Sequence, residues 1–278
     1  MIARIGVCSW SLLPATAKDL AQRVQGTGLD AVQLALDPVR TGAMPVDEVE
    51  MYIGAGGIRL LSGMMAMAGE DYTTLDSIRR TGGVVPDATW PANLEGARQN
   101  AHLAKRLGIT LVTFHAGFVP HHAEDNSRDK LIDRLKRIAD VFAASDVQIA
   151  LETGQENAGT MLALMESLVT HHVGVNFDPA NMILYGMGDP VSSLDILAPF
   201  VRQLHVKDAI SSNAPDAWGV EVPVGVGEVD WPSFFDTITR RGIGADLIIE
   251  REAGDRRVED VRAAAERVRR EHAEQMRG

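Results

Sequence analysis

The sequence predicts a single-domain (β/α)8 TIM barrel, and three observations support this fold class. Short apolar segments alternate with amphipathic segments eight times along the chain, which is typical of a parallel sheet with covering helices. Glycines follow four of the predicted helices, where left-handed C-terminal caps are expected: Gly28, Gly57, Gly108 and Gly242. A length of 278 residues suits one barrel, so residues 1–278 are expected to form one domain.

The predicted strands and helices follow one another in a regular order. The strands are expected at 3–10, 31–36, 58–65, 109–116, 147–152, 173–178, 201–208 and 246–252. The helices are expected at 16–27, 45–55, 92–107, 128–144, 159–170, 190–199, 231–241 and 256–276. Because nearly every strand is followed by a helix, the sheet is expected to be parallel and closed.

Two segments are longer than simple connections between these elements. They are residues 66–91 and 209–230, and each follows a predicted strand. Loops after strands lie on the face of a barrel where catalysis takes place, and long loops there often form lids or walls. We therefore expect both segments to border a functional site.

The charge and composition exclude several classes of function. A net charge of -11 and a pI near 5.2 disfavour binding to nucleic acid, whose phosphates such a surface repels. Cys8 is the one cysteine, so no internal disulfide is expected, which suits a reducing compartment. The start of the chain is expected to be a strand rather than a signal peptide, and no apolar run reaches the ~18 residues of a membrane span. A cytoplasmic protein without membrane contact is predicted.

Alternation along the strands predicts which side chains point into the barrel. In the last four strands, polar residues share one face and aliphatic or aromatic residues the other. The polar face is expected to point inward, with its last members at the carboxyl rim. Each of these strands then supplies a potential metal ligand near its end: Glu152, Asp178, His205 and Glu250.

Three carboxylates and one imidazole that meet at the rim would repel one another, and a divalent cation resolves this. Oxygen-rich ligation with one nitrogen favours Mn²⁺ or Mg²⁺, and Co²⁺ is a further candidate. Taken singly, each acidic residue has an alternative interpretation as a helix cap or as one partner of an ion pair. For Asp178, which precedes Pro179, both a cap and a metal ligand are considered.

Other polar residues are candidates for contact with a substrate. His115 ends the fourth strand and is predicted to bind substrate, supply a further ligand, or form an ordinary hydrogen bond at the rim. Lys207 is predicted to bind a substrate oxygen or act as an acid or base, and the alternative is an ion pair with Glu250 or Asp208.

Three further candidates lie at the same predicted rim. Glu156 and Asn157, in the loop after Glu152, are predicted to bind hydroxyl groups. Trp10 ends the first strand and would offer an aromatic wall for a sugar face, or pack in the core.

The segments "ALETGQEN", "VGVNFDPANM", "QLHVKD" and "LIIERE" resemble the xylose isomerase-like TIM barrel superfamily, the sugar phosphate isomerase/epimerase family. The resemblance extends over essentially the whole chain. It implies that Glu152, Asp178, His205 and Glu250 bind one divalent metal, and that Glu152 and Glu250 are the catalytic acid and base. It also implies a reaction through a metal-stabilised enediolate, and a homodimer or homotetramer.

The sequence departs from the ketose 3-epimerases of this superfamily at three positions. Those enzymes carry a substrate-binding Glu where this chain has Ala158, a His where it has Asn181, and an Arg where it has Ser211. Asn181 thus becomes a candidate substrate-binding residue. The departures put the free-ketose pocket in doubt, and "HVKD" is more similar to members that act on keto-inositols or other keto-sugar derivatives.

Three functions are therefore compared. The first is a metal-dependent isomerase or epimerase of a sugar or keto-sugar. The second is a dehydratase or lyase that acts on a keto-inositol or keto-glycoside with the same metal site. The third is a phosphodiesterase or endonuclease. It is ranked low, because the resemblance to that branch of the superfamily would imply a multi-zinc site with several more histidines than this chain has. The sequence leaves open whether the substrate carries a phosphate; Arg79, Arg80 and Arg251 are the candidate partners for one.

Overall fold

The fold is an eight-stranded parallel barrel surrounded by helices. The structure is a computed structural model that describes residues 4–120, 126–214 and 217–275. The barrel strands are β1 (Ile5–Cys8), β2 (Ala31–Ala35), β3 (Arg59–Met64), β4 (Leu111–Phe114), β5 (Gln148–Glu152), β6 (Gly174–Phe177), β7 (Val201–Val206) and β10 (Asp246–Ile249). β10 pairs in parallel with both β7 and β1, which closes the sheet and confirms the predicted fold class.

All eight predicted strands are present, although the observed ones are shorter at their ends. The helices are α1 (Ala17–Gly26), α2 (Leu36–Arg40), α3 (Val46–Val49), α4 (Leu75–Thr81), α5 (Trp90–Arg106), α6 (Asn126–Ala143), α7 (Ala158–Ser167), α8 (Pro179–Leu184), α9 (Pro190–Leu197), α10 (Trp231–Arg241) and α11 (Arg257–Gln275). A π-helical turn over Glu50–Gly54 continues α3. Residue 3 of the first predicted strand and residue 276 of the last predicted helix lie outside the described residues.

The predicted glycine caps and strand faces are confirmed. Gly28, Gly57, Gly108 and Gly242 all have positive φ angles, from 65° to 82°, which end the preceding helices at low steric cost. The outward residues of the late strands join one large apolar core beneath the helices, among them Leu151, Phe177, Leu204 and Ile249. The inward apolar residues form a separate small cluster of Cys8, Ala31, Leu61 and Ile248.

Both long segments contain secondary structure that the sequence analysis did not predict. Segment 66–91 contains α4, whose N-cap Thr74 accepts a hydrogen bond from the Ser77 backbone N–H. Segment 209–230 contains most of an antiparallel hairpin, formed by β8 (Asp208–Ile210) and β9 (Val220–Val222). Two helices that directly follow strands, α2 and α8, were also missed, because five or six residues are too few for a helical pattern.

The buried carboxylate of Asp208 holds the segment that contains this hairpin. Four N–H groups donate to it at 2.7–3.2 Å, namely the backbone groups of Ala209, Gly225 and Val229 and the indole of Trp231. Gly227 lies so close that an added Cβ would be 2.2 Å from the Asp208 Oδ1 atom, so a larger residue does not fit there. Asp208 therefore orders the polypeptide that forms one side of the barrel mouth.

None of the helices in the described part of the chain is both long enough and apolar enough to cross a lipid bilayer. The long helices α5, α6 and α11 instead alternate apolar residues toward the core with charged residues toward solvent.

We expect the substitution Asp208→Ala to lower the free energy of unfolding by roughly 3 kcal/mol, because it leaves several buried N–H donors without an acceptor. The measurement is urea denaturation followed by circular dichroism. Asp236→Ala is the matched control, because that carboxylate is 74% exposed and forms a surface ion pair with Arg240, so its loss should cost about 0.5 kcal/mol or less. Equal effects of the two substitutions would contradict the anchoring role of Asp208.

Candidate metal centre

Four side chains from successive barrel strands converge at the carboxyl rim. Glu152 is the last residue of β5, Asp178 follows β6, His205 lies within β7 and Glu250 follows β10. One potential ligand atom from each lies within 4.8 Å of those from the others, and all four residues are buried. The structure thus brings together the four residues that the strand pattern singled out.

Asp178 caps a helix with one oxygen and faces the cluster with the other. Its Oδ1 atom accepts a hydrogen bond from the Asn181 backbone N–H at 2.9 Å, which makes Asp178 the N-cap of α8, and Pro179 occupies the first helical turn. Its Oδ2 atom lies 3.5 Å from Nδ1 of His205. The cap and the ligand therefore do not exclude each other, because each uses a different oxygen.

His205 presents Nδ1 to the carboxylates because its other ring nitrogen is already engaged. The Nε2 atom lies 2.8 Å from Oε1 of Gln33, and because a carbonyl oxygen only accepts, we place a proton on Nε2. Nδ1 then lies 3.5 Å from Glu152 and 3.2 Å from Glu250. A hydrogen bond of this kind from the second ring nitrogen orients most histidines that ligate metals.

A hydrogen-bonded polar layer inside the barrel supports the cluster from below. Asn176 donates from Nδ2 to Oε2 of Glu152 at 3.0 Å and accepts from Nε2 of Gln203 at 3.1 Å. Gln33 donates to the Thr113 hydroxyl at 2.8 Å. Because these residues are buried and paired with one another, the layer holds the ligands in place without an unsatisfied polar cost.

The two glutamates are held by different kinds of donors. Besides Asn176, Glu152 accepts a hydrogen bond at Oε1 from the Asn181 amide at 3.0 Å. Glu250 accepts at Oε1 from the Trp10 indole at 2.7 Å and at Oε2 from the Lys207 ammonium at 3.0 Å. Trp10 and Asn181, predicted as substrate contacts, thus also hold the predicted ligands in position.

Lys207 provides a positive partner for the carboxylates. Its ammonium lies 3.0 Å from Glu250, 2.8 Å from Glu252 and 3.9 Å from Asp178, so the alternative of an ion pair holds for Glu250. The alternative partner Asp208 is wrong, because its oxygens accept the N–H groups described above. The pairing of β7 with β10 brings Lys207 beside Glu250, and the sequence alone does not show this contact.

The charges in the cluster shift one another's pKa values in a consistent way. Burial alone would raise the pKa values of Glu152, Asp178 and Glu250, but the neighbouring histidines and Lys207 outweigh burial and hold these pKa values below the usual range. Burial alone would lower the pKa of His205, and the carboxylates instead hold it well above its usual value. Without a metal, a protonated His205 therefore balances part of the negative charge.

The donor set fits a divalent cation. Within the described residues, the buried atoms Asp178 Oδ2 and His205 Nδ1 have no hydrogen-bond partner, although they face each other across the cluster. A cation between them would satisfy both atoms. A second group shares His205 and Glu250 and adds Cys8, but burial raises the pKa of the Cys8 thiol well above its usual value. Because a thiol binds metal as the thiolate, the oxygen-rich set fits better.

A cavity of about 360 Å³ opens directly above the cluster, a size suited to a small molecule. Glu152 and Glu250 line it, whereas Asp178 and His205 are completely buried. The other lining residues include Trp10, Glu70, Tyr72, His115, Asn181, Tyr185, Lys207, Trp218, Glu221 and Glu252. Both long segments contribute to this wall, as expected.

The remaining predicted contacts differ in their position. His115 lines the cavity, with Nε2 3.4 Å from Oε1 of Glu152. Glu156 is buried outside the cavity lining, and burial raises its pKa to about 8. Asn157 accepts a hydrogen bond from the Thr160 backbone N–H and caps α7. His121 and His122 lie outside the described residues.

Several cavity residues were not predicted from the sequence. Glu70 and Tyr72 belong to segment 66–91, Trp218 and Glu221 to segment 209–230, and Tyr185 follows α8. For the residues in these two segments, the sequence indicated a role at the site only through the unusual length of the segments. Glu252, two residues after Glu250, also lines the cavity.

Comparison with known proteins now adds to this geometry. The sequence model of the xylose isomerase-like TIM barrel family matches residues 21–271. The chain belongs to this family. A search of curated proteins by sequence found no match.

Solved structures resemble this xylose isomerase-like barrel over nearly their whole length. A xylose isomerase domain protein from Planctomyces limnophilus is 28% identical, with a TM-score of 0.89 and coverage of 99% of both chains. An L-ribulose 3-epimerase is 17% identical, with a TM-score of 0.75 and coverage of 99% of this chain and 96% of that one. The probable 3-DHS dehydratase AsbF from Bacillus anthracis is 16% identical, with a TM-score of 0.73 and coverage of 95% and 97%. The last two identities are so low that these likenesses show the shared fold alone.

The two roles of Asp178 are separable by substitution. We expect Asp178→Ala to lower the free energy of unfolding of the metal-free protein by about 1 kcal/mol more than Asp178→Asn, because both variants lose the charge beside His205 and Lys207 but Asn retains a side-chain oxygen for the helix cap. Both variants should lose tight Mn²⁺ binding. Urea denaturation in EDTA measures the first effect and calorimetric Mn²⁺ titration the second. Equal destabilisation by Asn and Ala would refute the cap, and unchanged Mn²⁺ affinity would refute the ligand.

The indole hydrogen bond to Glu250 gives a second test in this xylose isomerase-like barrel. Trp10→Phe keeps an aromatic ring but removes the donor, and we expect Mn²⁺ affinity to fall by about tenfold, as for other partners that orient a metal ligand. Titration of the metal-stripped variant measures this change. Trp218→Phe, which alters the cavity wall without touching a ligand, is the control and should bind Mn²⁺ as the wild type does.

Proposed function

We propose that this protein is a divalent-metal-dependent isomerase or epimerase that acts on a sugar or keto-sugar. The observation that carries the proposal is the buried convergence of Glu152, Asp178, His205 and Glu250 beneath a cavity of small-molecule size. The proposed metal is one Mn²⁺ ion, with Mg²⁺ or Co²⁺ as alternatives, because three carboxylates and one imidazole favour such ions.

Glu152 and Glu250 are proposed to move the proton. Both line the cavity, and in the barrel β6 and β7 separate the strands that carry them, so the two carboxylates flank Asp178 and His205. This arrangement suits one carboxylate that removes a carbon-bound proton and a second that returns one from the other side. A bound divalent cation would withdraw electron density from a carbonyl and an adjacent hydroxyl, which acidifies the hydrogen on the carbon that carries the hydroxyl.

The two glutamates have different hydrogen-bond partners, and we propose different roles for them. The Lys207 ammonium and the Trp10 indole hold both oxygens of Glu250, which stabilises its ionised form. Glu152 is held by two neutral amides and lies 3.4 Å from His115, which lines the cavity and can relay a proton. We propose that His115 exchanges the proton of Glu152 with solvent or substrate, and that Lys207 and Asn181 bind substrate oxygens.

The alternative function is a dehydratase or lyase that acts on a keto-inositol or keto-glycoside. It would use the same metal site and the same first proton transfer, and the likeness to a dehydratase of this fold keeps it in consideration. A nuclease is disfavoured, because His115 and His205 are the only histidines of the described residues that reach the site, and the chain is strongly acidic. A cytoplasmic location and a homodimer or homotetramer remain predictions.

We expect the Mn²⁺-loaded protein to incorporate solvent deuterium into a keto-sugar, as observed by proton NMR. Removal of the metal with EDTA, Glu152→Gln and Glu250→Gln should each reduce the rate by about 100-fold or more, because each removes a proton-transfer group or the cation. Glu95→Gln, which removes a carboxylate from the exposed face of α5, is the control and should be unaffected.

The products distinguish the two candidate reactions. Deuterium at one carbon with all hydroxyl groups retained supports the isomerase or epimerase. A new unsaturated carbonyl product, seen by its ultraviolet absorbance, supports the dehydratase. Full activity of Glu152→Gln and Glu250→Gln would contradict both mechanisms.

A further inference from the structure

We propose that the cavity selects a substrate without negative charge and rejects phosphorylated and carboxylated sugars, with Glu252 as the residue that sets this selectivity. The proposal rests on the proposed function for its substrate class, since a keto-sugar exists both free and as a phosphate ester. It is carried by the charges that line the cavity and by the partners of each cation near it.

Among the described residues, Lys207 is the one lysine that lines the cavity, and its charge is already neutralised. The Lys207 ammonium lies 3.0 Å from Glu250 and 2.8 Å from Glu252, so two carboxylates compete for one positive charge. The ammonium donates a further hydrogen bond to the side-chain oxygen of Asn181 at 3.4 Å. A phosphate that approached Lys207 would have to displace Glu252 and would face the charge of Glu250 at close range.

The three arginines considered as phosphate partners are placed elsewhere. Arg251 is buried outside the cavity lining, and its guanidinium binds Glu221 at 2.7 Å and Asp260 at 2.9 Å. Arg79 lies over the Phe118 ring and Arg80 pairs with Asp76 at 3.0 Å, and both border a different cavity. Among the described residues that line the cavity above the cluster, no arginine is present.

A bound divalent cation does not reverse this balance. Its two positive charges, taken together with the charge of Lys207, are balanced by the three carboxylates of Glu152, Asp178 and Glu250 that would hold it. Beyond the ligands, the acidic side chains of Glu70 and Glu252 line the cavity, and the charge of Glu221 is balanced by Arg251. Like charges that meet at close range repel one another, so an anionic group is disfavoured there.

The sharpest test uses inorganic sulfate as the probe on the full-length, Mn²⁺-loaded protein, because sulfate mimics a phosphate group without precipitating Mn²⁺. Calorimetric titration at constant ionic strength should detect no saturable binding to the wild type up to about 10 mM. Glu252→Gln, which releases Lys207 from one of its two carboxylates, should bind sulfate about tenfold more tightly than the wild type, by removal of one charge at short range.

Glu259→Gln is the matched control, because it removes the same charge from the exposed surface of α11. It should leave sulfate binding as weak as in the wild type. Sulfate binding to the wild type below about 1 mM, or no difference between Glu252→Gln and Glu259→Gln, would overturn the proposal.

A second measurement compares free ketoses with their phosphate esters, using D-fructose and D-fructose 6-phosphate as the first pair and deuterium uptake as the readout. Uptake into the free sugars should exceed that into the esters by about tenfold or more. Equal or faster uptake into an ester would contradict the charge selectivity. If no sugar takes up deuterium while the sulfate results hold, the proposed function fails and the charge selectivity stands.

Discussion

The burial of three carboxylates around one imidazole is the constraint on which the rest of this structure depends. A buried carboxylate is costly unless each oxygen has a partner, and the barrel supplies these partners from several directions. The Asn176 and Asn181 amides hold Glu152, the start of α8 satisfies one oxygen of Asp178, and Trp10 and Lys207 hold Glu250. The atoms left over, Asp178 Oδ2 and His205 Nδ1, face the same point.

This arrangement explains why polar residues occupy positions inside the barrel that aliphatic residues fill in many folds of this kind. Gln33 fixes the ring of His205, and Asn176 connects Glu152 to Gln203. Each of these residues lies on the inward face of a strand, so the strand alternation that buries the apolar side chains outside also aligns the polar layer inside. The core and the site thus arise from the same periodicity.

The sequence was sufficient to predict the barrel, its eight strands and the four clustered residues, because all of these follow from periodicity along single segments. It was insufficient for features that depend on which segments meet in space. The ion pair between Lys207 and Glu250 joins residues of neighbouring strands, and Glu70 reaches the cavity through a loop. α8 was missed although the sequence contains the signals of its start. Asp178 followed by Pro179 is an N-cap residue followed by a proline in the first helical turn.

Asp178 shows why the two interpretations of one residue need not compete. A carboxylate has two oxygens, and the turn from β6 into α8 directs one to the helix and one to the cluster. The same turn places Asn181 against Glu152 and Lys207, so the first turn of a short helix organises one side of the site. The helix start and the site therefore depend on each other energetically.

The attachment of the β8–β9 hairpin has a consequence for how this barrel diversifies. The hairpin is joined to the barrel through two carboxylates, Asp208 and Glu221, that mostly accept backbone N–H groups and a buried guanidinium. Trp218, which lines the cavity together with Glu221, lies between these two anchors in the chain, and its ring packs against that of Tyr185. Substitutions at Trp218 are therefore expected to change the shape of the cavity while the four clustered side chains keep their positions. This part of the cavity wall can vary independently of the buried cluster, so the hairpin is a segment where directed evolution can alter the cavity without disturbing that cluster.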